Sequence, residues 1–453
     1  MPTFSVIDTA DSGDTRYEGF VKDAANWALL EAGSGTGVAR RAITATDTVI
    51  ATDIRKLLDI TSGTFTLSFT PAATLGSGFY CFIRNSGTGI VTLDPDGTET
   101  IDALTSYKMY PNEVRLVQCD ATYFRSVVIQ PFYYKTATTF TYTHPAGYKA
   151  IGVDLVGAGG GGGSGRKGAD TTDVSGGAPG GAPARVRRIL TNLTAGGTTT
   201  VTIGAGGTGG AAQATNSTSG TDGVAGGNTT FGTLVTAYGG AAGKGGTTAY
   251  ASTSGSGSAG AGSSSATASV EGGLPSATNF GYSGSATTIH NVGEGGAGTY
   301  VSNNGGNSIL GGAGSSCPSA GNTNVLSSGS SLYGVGAASA GGNIQNGTDA
   351  MPATAGTAGK TGSYAVGGGA TGGTCGASPT AGGAGAANAG TDFDMGNPGA
   401  GGGSSHTTNA AAGGAGSSPG GPGGGGGAST NSVGNSGVGG AGADGQIVLW
   451  GIA

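Results

Sequence analysis

The chain has 453 residues, 101 of them glycine, a formal net charge of −6 and four cysteines. That length allows two or three domains. The acidic balance argues against nucleic acid as a partner, so few cysteines exclude a disulfide scaffold, and no apolar run of about 18 residues predicts membrane insertion.

The glycines are unevenly placed: 13 lie in residues 1–156 and 88 in residues 157–453. Such a share is the composition of low-complexity chain. Disordered segments stay solvated through high net charge, yet Thr191 to Ala453 carries two Lys and seven Asp or Glu. A near-neutral stretch of Gly, Ala, Ser, Thr and Asn, closed at both ends by apolar runs at 150–156 and 446–453, reads as an ordered domain.

In chain order, residues 1–40 read as an attachment segment. Phe20, Ala24, Trp27 and Ala28 share one helical face, with Leu30 at its edge. A helix of about 12 residues is marginal alone, so Phe20, Trp27 and Leu30 are candidate docking residues for another chain. Glycines 33, 35 and 37 then stop the helix. The N-terminus lacks the basic and apolar regions of a secretory signal.

Residues 41–135 read as a small β-sandwich module. Strand-like runs fall at 47–50, 64–69, 79–85, 89–93, 113–119 and 123–129, separated by turn signals such as Asp94-Pro95-Asp96-Gly97. Alternation places Phe65, Leu67 and Phe69 in a core, and Cys81 and Cys119 are expected there as free thiols. The run from Phe79 through Pro95, with Thr100-Ile101-Asp102, Tyr110-Pro111-Asn112-Glu113 and Thr122-Tyr123-Phe124, resembles a β-module of bacteriophage tail-fibre and appendage proteins. That resemblance implies a trimeric fibre.

Residues 136–453 read as a glycine-rich domain. Thr139–His144, Ile151–Leu155, Thr198–Ile203 and Thr229–Ala237 look like strands. Arg185, Arg187 and Arg188 read as a solvated strand face. The order Phe140, Pro145-Ala146-Gly147, strand, glycine run, Val201-Thr202-Ile203-Gly204, and finally Gly445-Gln446-Ile447-Val448-Leu449-Trp450 is similar to the glycine-rich domain of phage tail and adhesin proteins. Gly, Ala and Ser cannot build a side-chain core. Stacked polyproline II helices, which have three residues per turn and no internal hydrogen bonds, can pair their backbones sideways instead. Strict Gly-X-Y triplets are absent, which excludes collagen.

No catalytic constellation emerges, so an enzyme is not expected. Gly204-Ala205-Gly206-Gly207-Thr208-Gly209 matches a dinucleotide fingerprint but lacks the following helix. Gly416-Ser417-Ser418-Pro419-Gly420 lacks the strand and helix of a nucleophile elbow. His144, His290 and His406 have no metal-type spacing, and no cofactor or metal is expected. The polar–aromatic segments between glycine clusters have the composition of adaptable binding surfaces. They supply the candidate receptor-binding residues Tyr250, Phe280, Tyr282, Tyr300, Asn303, Tyr333 and Phe393. The resemblances together imply a virion appendage assembled in the host cytoplasm, a homotrimer held by other virion proteins at its N-terminus. Its partner would be a host cell-surface glycan or outer-membrane protein. The alternative they leave is a head fibre or capsid decoration protein without receptor binding.

Overall fold

The computed structural model describes residues 38–452 apart from 131, 135–136, 145–149, 170–172, 192, 195, 248–334, 337, 346–348, 351–380, 382–395 and 432–433. The fold is mainly β. The expected N-terminal helix, with Phe20, Trp27 and Leu30, lies outside the described residues.

The first module runs β1 (Arg40–Ile43), β2 (Asp47–Val49), β3 (Leu57–Ile60), β4 (Thr66–Phe69), β5 (Ser77–Asn85), β6 (Val91–Asp94), β7 (Tyr107–Met109), β8 (Val114–Asp120) and β9 (Phe124–Gln130). Strands β1 to β6 alternate between two sheets, ordered β1-β3-β5-β8-β9 and β2-β4-β6-β7. β1, β3 and β5 pair in parallel, as do β2, β4 and β6. The chain therefore coils between the sheets before β7, β8 and β9 close it with antiparallel pairs. Its corners stack: a Cβ on Gly89 would meet the Gly63 carbonyl at 2.0 Å, so only glycine allows the next coil to sit that close.

Period-two alternation fills the core between these sheets. Leu67, Phe69, Phe79, Cys81, Ile83, Val91, Leu93, Cys119 and Phe124 are buried together, with Phe65 packed at the edge. Cys81 and Cys119 are free thiols, and burial pushes the Cys81 thiol far above its ordinary range. β1, β3 and β7 were not legible as strands. β3 buries Asp59 beside Leu57, Leu58 and Ile60, which breaks the apolar pattern. That carboxylate is met by Arg40 at 2.5 Å, by Arg84 at 3.3 Å and by the Ser86 hydroxyl at 2.7 Å.

Past the module come β10 (Phe132–Tyr134), β11 (Thr138–Thr143), β12 (Ala150–Val156), β13 (Lys167–Gly168), β14 (Arg185–Leu190), β15 (Thr198–Ile203), β16 (Thr229–Phe231) and β17 (Val235–Ala237). The two-residue pair β18 (Ile344–Gln345) and β19 (Asp349–Ala350) follows, then β20 (Ser429–Thr430) and β21 (Gln446–Ile452). Two four-stranded sheets, β10-β21-β12-β14 and β11-β15-β16-β17, enclose a second core. It holds Tyr142, Ile151, Val153, Leu155, Val186, Val201, Ile203, Phe231, Val235, Ile447 and Leu449. Tyr110, from the first module, is buried in it too. The Tyr110 hydroxyl donates to the Thr141 carbonyl at 3.0 Å and accepts from the Thr143 N–H at 2.8 Å. Tyr110, with Ile90 packed at the edge, thus joins the first module to the second core.

The glycine-rich segments continue out of this second sandwich. β12 leads into 157–167, β15 into 204–213 and β17 into 238–247, while 175–184, 218–227 and 435–445 lead into β14, β16 and β21. The hydrogen bonds of 157–167 define the packing. The N–H groups of Gly157, Gly160, Gly163 and Arg166 donate to Ala184, Gly181, Ala178 and Ser175. Those of Ala158, Gly161, Ser164 and Lys167 donate to Gly227, Val224, Thr221 and Thr218, and those of Gly159, Gly162 and Gly165 to Ala443, Gly440 and Gly437. All of these distances lie between 2.8 and 3.2 Å.

The carbonyls repeat with the same period. Ala158, Gly161 and Ser164 accept from Gly240, Gly243 and Gly246. Gly159 and Gly162 accept from Gly207 and Gly210, and Gly160, Gly163 and Arg166 from Gly423, Gly426 and Ser429. A period of three with no bond inside the segment is polyproline II geometry. Descending partner numbers mark three antiparallel neighbours and ascending ones mark three parallel neighbours. The segment 157–167 is therefore the hub of a hexagonal lattice whose cohesion is backbone hydrogen bonding.

Residues 420–429 form a second hub. Gly424 and Gly427 donate to Gly414 and Ala411, Gly425 and Ala428 to Ser339 and Gly342, and Gly423, Gly426 and Ser429 back to the first hub. Their carbonyls accept from Gly180 and Gly177, from Gly440 and Gly437, and from Gly402 and Ser405.

This geometry explains where glycine is continuous and where it is not. In the first hub, a Cβ on Gly160 would meet a backbone oxygen at 2.0 Å, on Gly163 at 2.2 Å and on Gly165 at 1.9 Å. At the periphery one position in three turns outward. In 204–213, Ala205, Thr208 and Ala211 are exposed while Gly204, Gly207 and Gly210 are buried. Uninterrupted glycine marks a hub, and X-Gly-Gly marks a rim.

Candidate functional site at the far end of the lattice

The sandwich sits at one end of the lattice, where the 416–420 turn also lies against Val156 and Gly157, and the turn at 214–217 lies at the other. Among the described residues, the hub 157–167 ends at β13, beside Thr218, Ser175 and Ser429. Thr247, the last described residue before 248–334, accepts a bond from the Ser175 N–H, also at this end. Ile344, which precedes 346–348, pairs with Val174 there. Val335, after the first gap, packs with Val156 and Ala182 at the sandwich end. Thr247, Val335 and Ile344, which flank stretches outside the described residues, therefore belong to the lattice and its sandwich. The candidate residues Tyr250, Phe280, Tyr282, Tyr300, Asn303, Tyr333 and Phe393 all lie outside the described residues.

Two motifs of the sequence find structural explanations. Gly204, Gly206, Gly207 and Gly209 of the fingerprint-like run are lattice contacts, and a Cβ on each would meet a backbone carbonyl within 2.2 Å. They begin a polyproline II segment rather than a helix. Gly416–Gly420 is the turn into the second hub, and the Ser417 hydroxyl accepts from the Asn397 N–H at 2.7 Å. His144 is buried, with Nε2 2.7 Å from the Thr199 hydroxyl and Nδ1 3.1 Å from the Thr194 carbonyl. Among the described residues no cluster of metal-ligating side chains occurs, and no helix is long and apolar enough to cross a membrane.

The arginine cluster requires a correction. Arg188 and Ile189 face solvent, but Arg185 is buried. Its guanidinium grips the buried Asp154 at 2.9 and 2.6 Å, and Arg187 adds bonds at 3.0 and 2.5 Å. Burial pushes the Asp154 carboxyl up, and the two arginines more than offset that, so it lies below its ordinary value. The antiparallel register places Asp154 opposite Arg187 and Val156 opposite Arg185, a juxtaposition invisible in a linear reading. Arg187 also stands 5.9 Å over the Trp450 ring, which packs directly against Gly152.

The far end holds a second cation cluster, and the sequence reading missed it. Arg166 and Lys167 end the first hub, and both are buried, at 8 % and 6 % exposure. The Arg166 guanidinium donates to the Ser219 hydroxyl at 3.0 Å and the Ser217 carbonyl at 3.3 Å. Lys167 Nζ donates to the Ala214 carbonyl at 3.1 Å. The ion pairs among the described residues engage neither. Burial lowers the Arg166 pKa from its ordinary value. Three buried polar atoms here have no hydrogen-bond partner: Arg166 Nε, Ser429 Oγ and His406 Nδ1. The Ser429 N–H donates to the Arg166 carbonyl, and Ser405, the residue before His406, donates its N–H to the Ala428 carbonyl. The signal available beforehand was the two cations at the end of a glycine run.

No curated protein matches the chain. A family model described as a glycine-rich domain matches residues 135–289. That match begins beside β11, covers the first hub and four of its six neighbours, and marks this part of the chain as similar to that domain.

Proposed function

We propose that the protein is a bacteriophage virion appendage, a tail fibre or adhesin, held to the particle by its N-terminal segment. Its glycine-rich part contacts a host cell-surface glycan or outer-membrane protein. The observation that carries this reading is the construction of the lattice. The backbone-bonded frame is interrupted in sequence by long polar–aromatic stretches, and Thr247, Val335, Ile344 and Gly396, on either side of them, belong to that frame. Binding residues are disproportionately found on loops held by rigid scaffolds, and Tyr, Ser, Gly and Asn suit adaptable contacts. The two tail-protein resemblances support the same assignment. A homotrimer would multiply weak contacts into avidity.

Adsorption of the purified chain to host cells, and protection of those cells from infection, tests this. Tyr282→Ala and Tyr300→Ala are expected to reduce adsorption by about tenfold or more if they are binding hot spots. Absence of adsorption by the parent protein, with the chain located on the capsid, would assign it to a head fibre or decoration role instead.

A further inference from the structure

We propose that the far end of the lattice is an anion site, built to receive a phosphate or carboxylate group of the ligand that this end meets. Identifying that ligand as a surface glycan rests on the reading above; the site itself rests on the residues. Two adjacent cations, Arg166 and Lys167, are more than nine-tenths buried without a carboxylate among their partners. A buried charge is costly unless it is paired. The Nε of Arg166 is left without any partner, as are the Ser429 hydroxyl and the Nδ1 of His406 on neighbouring segments. Two adjacent cations, one of them with an unpartnered Nε, are complementary to an acceptor-rich anion, because guanidinium and ammonium groups are donors to oxyanions. Gly168 packs closely against this side chain: a Cβ there would lie 3.2 Å from the Arg166 Nε and 2.6 Å from Val174. Elsewhere among the described residues, buried cations are compensated. Arg185 has Asp154, and Arg115 has Glu113 and Asp102. The exception at the far end is therefore local.

The test is thermal melting of the full chain with and without inorganic phosphate at constant ionic strength, beside Arg166→Met, Lys167→Met and the double variant. Phosphate at concentrations well above Kd is expected to raise the parent Tm by about 2 °C or more through mass action. The double variant is expected to show no such rise, while melting in phosphate-free buffer at or above the parent temperature, because an uncompensated buried charge has been removed. Equal rises in parent and double variant would indicate exclusion of phosphate from the whole surface and overturn the site, as would no rise in the parent. If the double variant does not fold, the single variants and phosphorus NMR line broadening of phosphate by the parent carry the same decision. Competition then separates the sources. A phosphorylated surface oligosaccharide that displaces phosphate about tenfold better than its dephosphorylated form assigns the anion to the glycan. Equal displacement by both forms would overturn that assignment. Adsorption to cells is read separately: its absence with an intact phosphate shift would sink the adhesin reading and leave the anion site standing.

Discussion

The two halves of this chain solve the same packing problem with different atoms. In residues 38–130, side chains such as Leu67, Phe69, Ile83 and Phe124 fill the space between sheets, and backbones meet within each sheet and at stacked corners such as Gly63 and Gly89. In the glycine lattice the backbone is itself the packing surface, and each hub residue meets its neighbours through N–H, C=O and Cα. The first arrangement tolerates a change of side-chain shape at modest cost. The second tolerates none at a hub, because the displaced atom is a carbonyl held by its own hydrogen bonds.

Substitutions should expose that difference most strongly in the hubs. Gly163→Val places a Cβ 2.2 Å from the Lys244 carbonyl, and loss of about 3 kcal/mol or more, or failure to fold, is expected from denaturant melts. In the second core, Leu155→Ala should cost about 2–5 kcal/mol and melt the lattice with it, because 157–167 grows directly from β12. A variant that loses the sandwich while keeping the lattice would break the comparison.

Asp154→Asn leaves Arg185 buried with a weakened partner and should cost about 3–5 kcal/mol. The pH dependence has a defined sign. The folded carboxyl titrates below its unfolded value, so its contribution is in place above that unfolded value, near pH 3.8. It disappears as pH falls through the depressed folded value. Acid melts of parent and Asp154→Asn should therefore converge at low pH.

Tyr110→Phe probes the join between the halves. Removing the hydroxyl leaves the Thr143 N–H without that acceptor, at a cost of about 1–3 kcal/mol. Burial pushes this phenol up to about 12, partly offset by the bond from Thr143. The unfolded phenol ionises first, so the stability tied to Tyr110 is complete below pH 10 and falls as pH rises from 10 towards 12. At the small end, Thr208→Val on the exposed rim should change stability by no more than about 0.5 kcal/mol.

The readability of the sequence follows the same division. Strands with alternating side chains, such as β4, β5 and β15, could be read because burial selects every second residue. β3 could not, because Asp59 is buried with charged partners that come from β1 and β5. The lattice was legible as a class of structure from glycine density and low charge. The segment pairing was not, since a glycine carries no side chain to specify its neighbour. What specifies it is the strand from which each segment emerges and the X-Gly-Gly phase, which puts Ala205, Thr208 and Ala211 outside. Arg185 was misread as solvated because its partner lies on β12, 31 residues earlier. At the far end, Arg166 and Lys167 were hidden by their position in a linear run of small residues.

The central claim is that backbone hydrogen bonds between polyproline II segments hold the glycine half together. Native-state hydrogen exchange of the 157–167 amides, set beside those of β12, tests it most directly. The account predicts that Gly160 through Gly165 exchange only with global unfolding, at the same free energy as Val153 and Leu155. Exchange of the hub amides at the rate of unprotected glycine, while β12 stays protected, would contradict it.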